Sequence, residues 1–381
     1  MGHTKAVILD VRSMSVTAIV GEAGVNNTFV FKSASSRPYE GYENGRFYSV
    51  ASLKKSVYAV LDEALNGKKE KFETVYVGVP GEFLKAIDKK YIKFFPSPKR
   101  IAKSDVEKFC REACVAAEER SYELVYESAL YFITSDGNKS ASPVGTISSS
   151  LQGRMSYAYS SDVFNETMRE ALTAYGFKTV RFIPSPFVQA QYLLSEEKRR
   201  NGALLLDIGA ISSTIVAVYG NGVVKEQTID IGEKHMAAAI CGALDVSYDV
   251  AVGLLKEVNL FRTGILDLQI TEEKRVSTEQ INQIVRTVLD SFCEPLEAFL
   301  SECPSIMSER PLCVTGEGVG GVRGAVEYVA DKLGKSAKIV APEIPYYNKP
   351  SVSSEISLLD YALKKCGAEK FFYKLLNGFG G

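Results

Sequence analysis

Two segments of this chain, about 200 residues apart, repeat one pattern: a buried strand that ends in aspartate, a turn of small residues and a returning strand. In the first, the apolar runs within residues 6–20 flank Asp10 and its turn. In the second, residues 203–219 repeat that arrangement around Asp207. An internal repeat of this kind predicts two similar α/β halves that face each other across a cleft.

Composition narrows the class of protein. Of the 381 residues, 46% are hydrophobic and 24% are charged, which is typical of a globular protein. Since 45 basic residues balance 46 acidic ones, no broad electrostatic footprint for nucleic acid is expected. The seven scattered cysteines and the lack of a signal-like start predict a cytoplasmic protein. No apolar run is long enough to span a bilayer, so any membrane contact is expected to be peripheral.

The first half is expected to contain an inserted α+β module. Ser104 and Glu107 form a capping-box pattern that predicts the start of a helix reaching to about residue 119. Strands are predicted at 123–133 and 156–160. Further elements are predicted as helices at 52–66, 162–175, 234–244, 248–258, 278–301 and 324–333, and as strands at 74–79, 179–183 and 312–314.

The two aspartate turns carry the groups needed to clamp a magnesium nucleotide. A carboxylate at a strand end can hold a hydrated cation, while hydroxyls and backbone N–H groups face phosphate oxygens. A third glycine-rich strand end would let a base or ribose approach the backbone. The candidate nucleotide residues are Asp10, Ser13 and Ser15, then Asp207, Gly209, Ser212 and Ser213, then Gly316, Glu317 and Gly318, with Asp10 and Asp207 as the magnesium-side carboxylates.

This order of motifs resembles the superfamily of actin, Hsp70 and sugar kinases, and within it the FtsA family. Residues 75–81 and 100–107 are similar in order and spacing to that family's first subdomain and its characteristic insert. The resemblance implies an actin-like (ribonuclease H-like) duplicated α/β fold with an inserted α+β subdomain. The implied subdomains are 1–81 with 162–199, the insert at 82–161, 200–232 with 310–367, 233–309, and a tail at 368–381.

The resemblance also implies a function. FtsA proteins are adaptors that polymerise at the inner face of the cell membrane, tether FtsZ and recruit later division proteins. The implied ligands are ATP or ADP with Mg²⁺, and the implied partners are the FtsZ C-terminal tail, other divisome proteins, the membrane and further copies of this chain. The tail of FtsZ would meet cationic side chains of the fourth subdomain, namely Lys274, Arg275 and Arg286.

Several positions depart from the family pattern, and they predict a weakened nucleotide site with no catalytic residue and at most a weak ATPase. Lys256 matches a basic residue on the ribose side, and Arg12 is either solvated or a substitute for lost backbone contacts to phosphate. The departures are Arg12 for glycine, Ala210, Ile211 and Ser212 for a Gly-Gly-Thr run, Ser185 for an acidic residue, Gly253 for a carboxylate and Glu317 for glycine.

The end of the chain predicts a short amphipathic helix. One stripe would carry five large apolar side chains, with lysine elsewhere, as suits an anionic lipid interface. Docking of this helix on its own domain is the alternative interpretation. The predicted membrane residues are Phe371, Phe372, Lys374, Leu375, Leu376 and Phe379.

Two other functions remain open from the sequence. An FtsA-like platform protein of a type IV pilus machine would share these motifs. An actin-superfamily ATPase or sugar kinase would require an intact loop set and a catalytic carboxylate, against which Ser185, Ala210 and Ile211 argue.

Overall fold

The computed structural model describes residues 4–25, 28–66, 72–115, 119–261, 266–269 and 275–377, apart from the side chains of 115, 308 and 368–377. The chain forms two compact units. The first consists of Met1–Asn201, Val218–Glu226 and Ser354–Gly381, and the second of Gly202–Ala217 and Gln227–Ser353.

The first unit is built on a five-stranded sheet of order β11-β6-β1-β2-β3. Strand β1 pairs with β2 in antiparallel and with β6 in parallel orientation. The elements up to residue 200 are β1 (Lys5–Val11), β2 (Ser15–Ala23), β3 (Phe29–Pro38), β4 (Tyr42–Glu43), β5 (Arg46–Phe47), α1 (Val50–Leu65), β6 (Thr74–Val79), β7 (Leu84–Arg100), α2 (Lys103–Val115), β8 (Tyr122–Thr134), β9 (Lys139–Ser140), β10 (Ile147–Ser161), α3 (Asp162–Tyr175), β11 (Thr179–Pro184), α4 (Ser185–Leu193) and α5 (Glu196–Arg200).

Both faces of this sheet are covered, which explains why β1 is apolar without alternation. Val7 and Leu9 lie in the cluster that contains the buried face of α1. Ala6 and Ile8 point the other way, into a cluster with Leu358, Leu359, Ala362 and Leu363 of the final helix, α11 (Ser353–Asn377). The resemblance to FtsA implies that residues 354–367 belong to the second actin-like subdomain. That assignment is wrong, because these apolar side chains are buried in the first unit.

Between β6 and β11 the chain forms a separate four-stranded antiparallel sheet of order β7-β10-β8-β9. Helix α2 covers one face, where Phe109 and Ala113 pack with Leu151 and Met155. The sequence does not predict strand β7. It is an edge strand, and its many lysines hide the alternation of apolar and polar residues that marks a strand.

The predicted capping box of α2 is wrong. The helix begins at Lys103, one residue before Ser104, and the carboxylate of Asp105 accepts the hydrogen bond of the Ala102 N–H at 2.9 Å. An aspartate at this distance satisfies one of the N–H groups that a helix start leaves without a partner.

A second five-stranded sheet has the order β14-β13-β12-β17-β18. This order matches that of the first sheet when the first sheet is read from its other edge, as β3-β2-β1-β6-β11. The predicted duplicated α/β fold is therefore confirmed. The remaining elements are β12 (Ala203–Ile208), β13 (Ser213–Tyr219), β14 (Gly222–Ile229), α6 (Glu233–Leu244), α7 (Tyr248–Leu255), β15 (Asp267–Gln269), β16 (Arg275–Ser277), α8 (Thr278–Glu302), α9 (Ser305–Ser308), β17 (Leu312–Thr315), α10 (Ala325–Lys332) and β18 (Ala337–Ile339).

Helix α8 follows its predicted bounds closely and starts with a capping box formed by Ser277 and Gln280. Its buried face includes Ile281, Val285 and Leu289.

Among the described residues, no single helix is long and apolar enough to cross a bilayer. Helices α6 and α7 pass such a test only as a pair, across a bend of 115°.

Candidate functional site

The first aspartate turn, residues 11–15, is closed by its own backbone. The Arg12 N–H donates to the Ser15 carbonyl at 2.9 Å, which joins β1 to β2 in a tight hairpin. Ser13 is buried beneath the neighbouring loop, where a Cβ on Gly41 would lie 2.5 Å from the Ser13 carbonyl oxygen. Since φ of Gly41 is also +92°, only glycine fits there.

Asp10 lies at the end of β1 with 1% of its surface exposed, and each of its oxygens has a partner. The Arg12 Nε donates to Oδ2 at 2.9 Å, and the Ser354 hydroxyl, from the first turn of α11, donates to Oδ1 at 3.0 Å. Arg12 also lies 3.6 Å from the Glu355 carboxylate through Nη2. Arg12 therefore neutralises Asp10 within the first unit.

Tyr39 fixes the backbone of Arg12. Its hydroxyl, which is buried, donates to the Arg12 carbonyl at 2.6 Å. Burial first, and then the carboxylates of Glu82 and Asp10, raise the pKa of Tyr39 well above its ordinary value, so the phenol stays protonated.

Two buried polar side chains on α4 have no hydrogen-bond partner within the described part of the chain. They are the Ser185 hydroxyl and the Gln189 amide, with 7% and 1% of the residue exposed. A Cβ on Gly78 would lie 2.6 Å from the Ser185 Oγ and 3.2 Å from the Asp10 Oδ1. The Ser185 hydroxyl and the Asp10 carboxylate therefore both lie next to Gly78.

The second aspartate turn, residues 208–212, closes in the same way as the first. The Gly209 N–H donates to the Ser212 carbonyl at 3.0 Å. The start of α6 then binds the turn, since Glu233 N–H donates to Gly209 O at 3.0 Å and Lys234 N–H donates to Ala210 O at 2.9 Å. These N–H groups would otherwise be open to an anion.

Glycines surround this second turn. A Cβ on Gly316, where φ is +108°, would lie 2.2 Å from the Asp207 Oδ1 and 2.3 Å from the Ile208 carbonyl oxygen. A Cβ on Gly318 would lie 2.8 Å from the Ile208 Cγ2. Gly316 is therefore required by packing around Asp207, and Gly318 packs closely against Ile208.

The second turn also has an acidic neighbourhood. Burial, and then the Glu317 carboxylate, raise the pKa of Glu233 above its ordinary value, although Lys234 acts in the opposite direction. His235 accepts the Gly232 N–H through Nδ1 at 3.1 Å and so caps α6. A Cβ on Gly321 would lie 2.0 Å from Glu233 Oε1, so the carboxylate lies against the backbone.

The remaining predicted site residues have different surroundings. Ser213 Oγ donates to the Ile231 carbonyl at 2.7 Å, and Lys256 is exposed at the end of α7. Arg275 is exposed in β16, and Arg286 pairs with Glu279 at 2.7 Å. Lys274 and Phe379 lie outside the described residues, as do the side chains of Phe371, Phe372, Lys374, Leu375 and Leu376.

A resident metal ion does not fit Asp10 as the residues stand. Mg²⁺ prefers six oxygen ligands and retains several of its waters. Asp10 is instead buried against a guanidinium, and the described residues contain no cluster of three or more His, Cys, Asp or Glu side chains suited to a metal. That Asp10 and Asp207 serve one nucleotide stays a prediction.

Sequence reasoning missed three residues of this site. Ser354 is 344 residues from Asp10, and Glu355 and Tyr39 are also distant from Arg12 in sequence. No local pattern marks them, because their role comes only from the packing of α11 and of the segment after β3 on the first sheet.

The chain is similar to FtsA cell-division proteins along most of its length, as its motifs predicted. It is 20% identical over 367 residues to FtsA of Streptococcus pneumoniae serotype 2 (strain D39), covering 93% of this chain and 79% of that protein. It is 20% identical over 377 residues to FtsA of Bacillus subtilis (strain 168), covering 94% and 83%. The match to FtsA of Pseudomonas aeruginosa is 19% identical and spans 65% of this chain but only 56% of that relative. No protein-family model matches the chain.

Solved structures with the same fold are actin-like. The PilM-PilN type IV pilus biogenesis complex superposes with a TM-score of 0.64 at 18% identity, covering 94% of this chain and 98% of that one. MreB5 of Spiroplasma citri bound to ADP superposes with a TM-score of 0.56 at 12% identity, covering 99% of each chain. At these identities the structures establish the fold and not the activity.

Proposed function

We propose that this chain, a divergent relative of the FtsA cell-division proteins with an actin-like fold, is an adaptor that polymerises at the membrane, tethers FtsZ filaments and recruits later division proteins. The observation that carries the proposal is the similarity to two FtsA proteins over 93% and 94% of the chain. The duplicated strand order supports it, because an actin-like fold is the framework on which such filaments are built.

The decisive experiment is the location of a fluorescent fusion in dividing cells. A band at mid-cell that disappears when FtsZ is depleted supports the adaptor role. A fusion that stays diffuse, although the native protein has been replaced and the cells divide, contradicts it.

Binding to the FtsZ tail is proposed at the cationic side chains Arg275 and Arg286. Because Glu279 already pairs with Arg286, that arginine is oriented but partly neutralised. Arg286→Ala is expected to weaken binding of a labelled FtsZ tail peptide about fivefold or more, measured by fluorescence anisotropy. Arg200→Ala, at an exposed arginine outside the second unit, is the control and is expected to bind as the unaltered chain does. Equal affinities for all three proteins would place the docking surface elsewhere.

Membrane attachment is proposed for the tail. The backbone of α11 is helical to Asn377, and one short anchor binds weakly until polymerisation multiplies it. A variant that ends at Gly367 is expected to lose co-sedimentation with anionic liposomes. Phe371→Ser with Phe372→Ser is the matched test of the apolar stripe, and undiminished sedimentation of both variants would contradict the role of the tail.

Nucleotide binding is proposed for the two aspartate turns, with ATP or ADP as the ligand. MreB5 of Spiroplasma citri has been solved with ADP and with AMPPNP, which makes this fold a reasonable nucleotide carrier. Ser185 has no carboxylate to activate water, so we expect at most weak ATP hydrolysis. Calorimetric titration with ATP tests binding, and no heat at high micromolar concentration would contradict it.

A role as the platform of a type IV pilus machine is the second candidate. It is favoured by the TM-score of 0.64 and the 98% coverage of the chain in the PilM-PilN complex. Parallel pull-downs with an FtsZ tail peptide and with a PilN-derived peptide distinguish the two, since each predicts capture of only one peptide.

A further inference from the structure

The sheet of order β7-β10-β8-β9, called the insert sheet from here on, has a long open edge. Strand β7 runs from Leu84 to Arg100 and pairs with β10 along one side. No strand of the described residues lies on its other side. An open edge presents backbone N–H and C=O groups with which a further extended chain can pair. The part of β7 before Pro96 can accept such a chain, since a proline has no N–H to contribute.

The open edge bears exposed apolar side chains on the face of the insert sheet that is turned away from α2. Tyr91 packs in the cluster beneath α2, so the alternation of side chains along a strand places Ile92 and Phe94 on the opposite face. Ile92 is 48% exposed and Phe94 is 77% exposed. That face is covered only further along β10, where the Ser156 hydroxyl exchanges hydrogen bonds with the backbone of Val223.

Strand β7 is also strongly basic. It contains six basic residues and one acidic residue, Asp88, which is paired with Arg154. Lys93 and Lys99 form ion pairs with acidic residues of α2. Lys90 is exposed on the face turned away from α2 and forms no ion pair within the described part of the chain. The open edge therefore combines positive charge with exposed apolar surface.

The chemistry of the edge favours one kind of occupant. A second copy of β7 would bring like charges into contact. A lipid surface matches the charge but supplies no chain to pair with the backbone. An extended acidic segment satisfies the backbone, the cations and the apolar side chains together. Lysines on an edge strand also prevent random pairing, but Ile92 and Phe94 work against that role.

We propose that the open edge of β7 binds an extended, acidic segment of a partner protein, which adds a strand to the four-stranded insert sheet. Apolar side chains at alternate positions of that segment pack against Ile92 and Phe94, and its carboxylates lie near Lys90. This binding site goes beyond the proposed adaptor function and depends on neither nucleotide nor the tail.

The test uses the full chain and a fluorescein-labelled peptide of alternating glutamate and valine, with binding measured by fluorescence anisotropy. The peptide is expected to bind, and the affinity is expected to fall as NaCl is raised, because salt screens exposed charges. A peptide of alternating lysine and valine is expected not to bind. Replacing the central valine by proline is expected to weaken binding about tenfold or more, because it interrupts pairing of the two backbones.

Variants of β7 locate the site, and β18 supplies matched controls because it is also an edge strand but spans only Ala337–Ile339. Ile92→Ser is expected to weaken binding about tenfold. Lys90→Glu is expected to weaken it about fivefold or more. Ile339→Ser, at an isoleucine that is 50% exposed, and Lys338→Glu are expected to bind as the unaltered chain does.

Several outcomes overturn the inference. The glutamate–valine peptide may be added to high micromolar concentration, and no change in anisotropy there removes the proposed site. Equal affinities for the β7 and β18 variants would place binding elsewhere. Unchanged peptide binding by Ile92→Ser, together with weaker co-sedimentation with anionic liposomes, would assign the face to lipid. If Ile92→Ser fails to fold, as judged by near-ultraviolet circular dichroism, Phe94→Ser provides the same test at a more exposed position.

Discussion

The turns at residues 11–15 and 208–212 occupy the same position in two sheets of the same order, yet they are stabilised by different physical means. Each is closed by one backbone hydrogen bond, 2.9 Å long in the first and 3.0 Å in the second. The first turn is held by charge, because Arg12 and Ser354 satisfy a buried Asp10. The second turn is held by close packing of the backbone at Gly316 and Gly318 against Asp207 and Ile208, where a Cβ would be too close.

The residues that pair with the two aspartates on the neighbouring parallel strands also differ. Asp10 lies opposite Gly78, and Asp207 lies opposite Thr315. The first turn contains an ion pair between Arg12 and Asp10, whereas Glu233 and Glu317 make the surroundings of the second acidic. The two turns therefore share their place in the strand order but differ in their charged surroundings.

The largest effect that would test this comparison is expected at Gly316. Gly316→Ala brings a Cβ within 2.2 Å of Asp207 Oδ1 at a φ of +108°, and should cost about 3 kcal/mol of unfolding free energy. Urea denaturation measures it. Gly242→Ala, in α6 where no atom lies within 4 Å of the new Cβ, is the control and should stabilise the protein by about 0.5–1 kcal/mol. A Gly316→Ala protein as stable as the control would show that the second turn is not packed as described.

A smaller effect is expected for the first turn. Ser354→Ala leaves Asp10 Oδ1 without its hydroxyl donor in a buried position and should cost about 1–3 kcal/mol, again by urea denaturation. Ser301→Ala removes an exposed hydroxyl that bonds to the Ala298 carbonyl, and should change stability by less than about 0.5 kcal/mol. Equal effects of the two substitutions would mean that Asp10 does not depend on α11.

The smallest effect concerns the acidic pair. The pKa of Glu233 is raised in the folded state, so the unfolded state ionises first and stability falls as pH rises from the ordinary glutamate pKa through the folded one. Glu317→Gln should reduce this loss and stabilise the protein at neutral pH by less than about 1 kcal/mol. The gain should vanish below the ordinary pKa, where both states are protonated. Urea midpoints measured from acid to neutral pH check this, and a gain that persists in acid would point to packing instead of charge.

The fold was predictable from the sequence to a large extent, and the reasons are local. Strand-ending aspartates, small-residue turns and helix caps such as Ser277 with Gln280 depend on neighbours in the chain. Strand β7 escaped prediction because an edge strand rich in lysine lacks a clear alternation of apolar residues. The position of α11 escaped it because its apolar face does not specify which sheet it covers.

The sequence by itself determined that two strand–aspartate–turn units exist, and its resemblance to FtsA drew attention to Arg12 and Ser185. The tertiary structure alone decided what those residues do. It placed Ser354 against Asp10 across 344 residues and left Ser185 beside them with no hydrogen-bond partner among the described residues. The physical reason is that strand and turn formation depends on short-range backbone geometry, whereas the charge balance of a buried carboxylate depends on which distant groups folding brings within hydrogen-bond range.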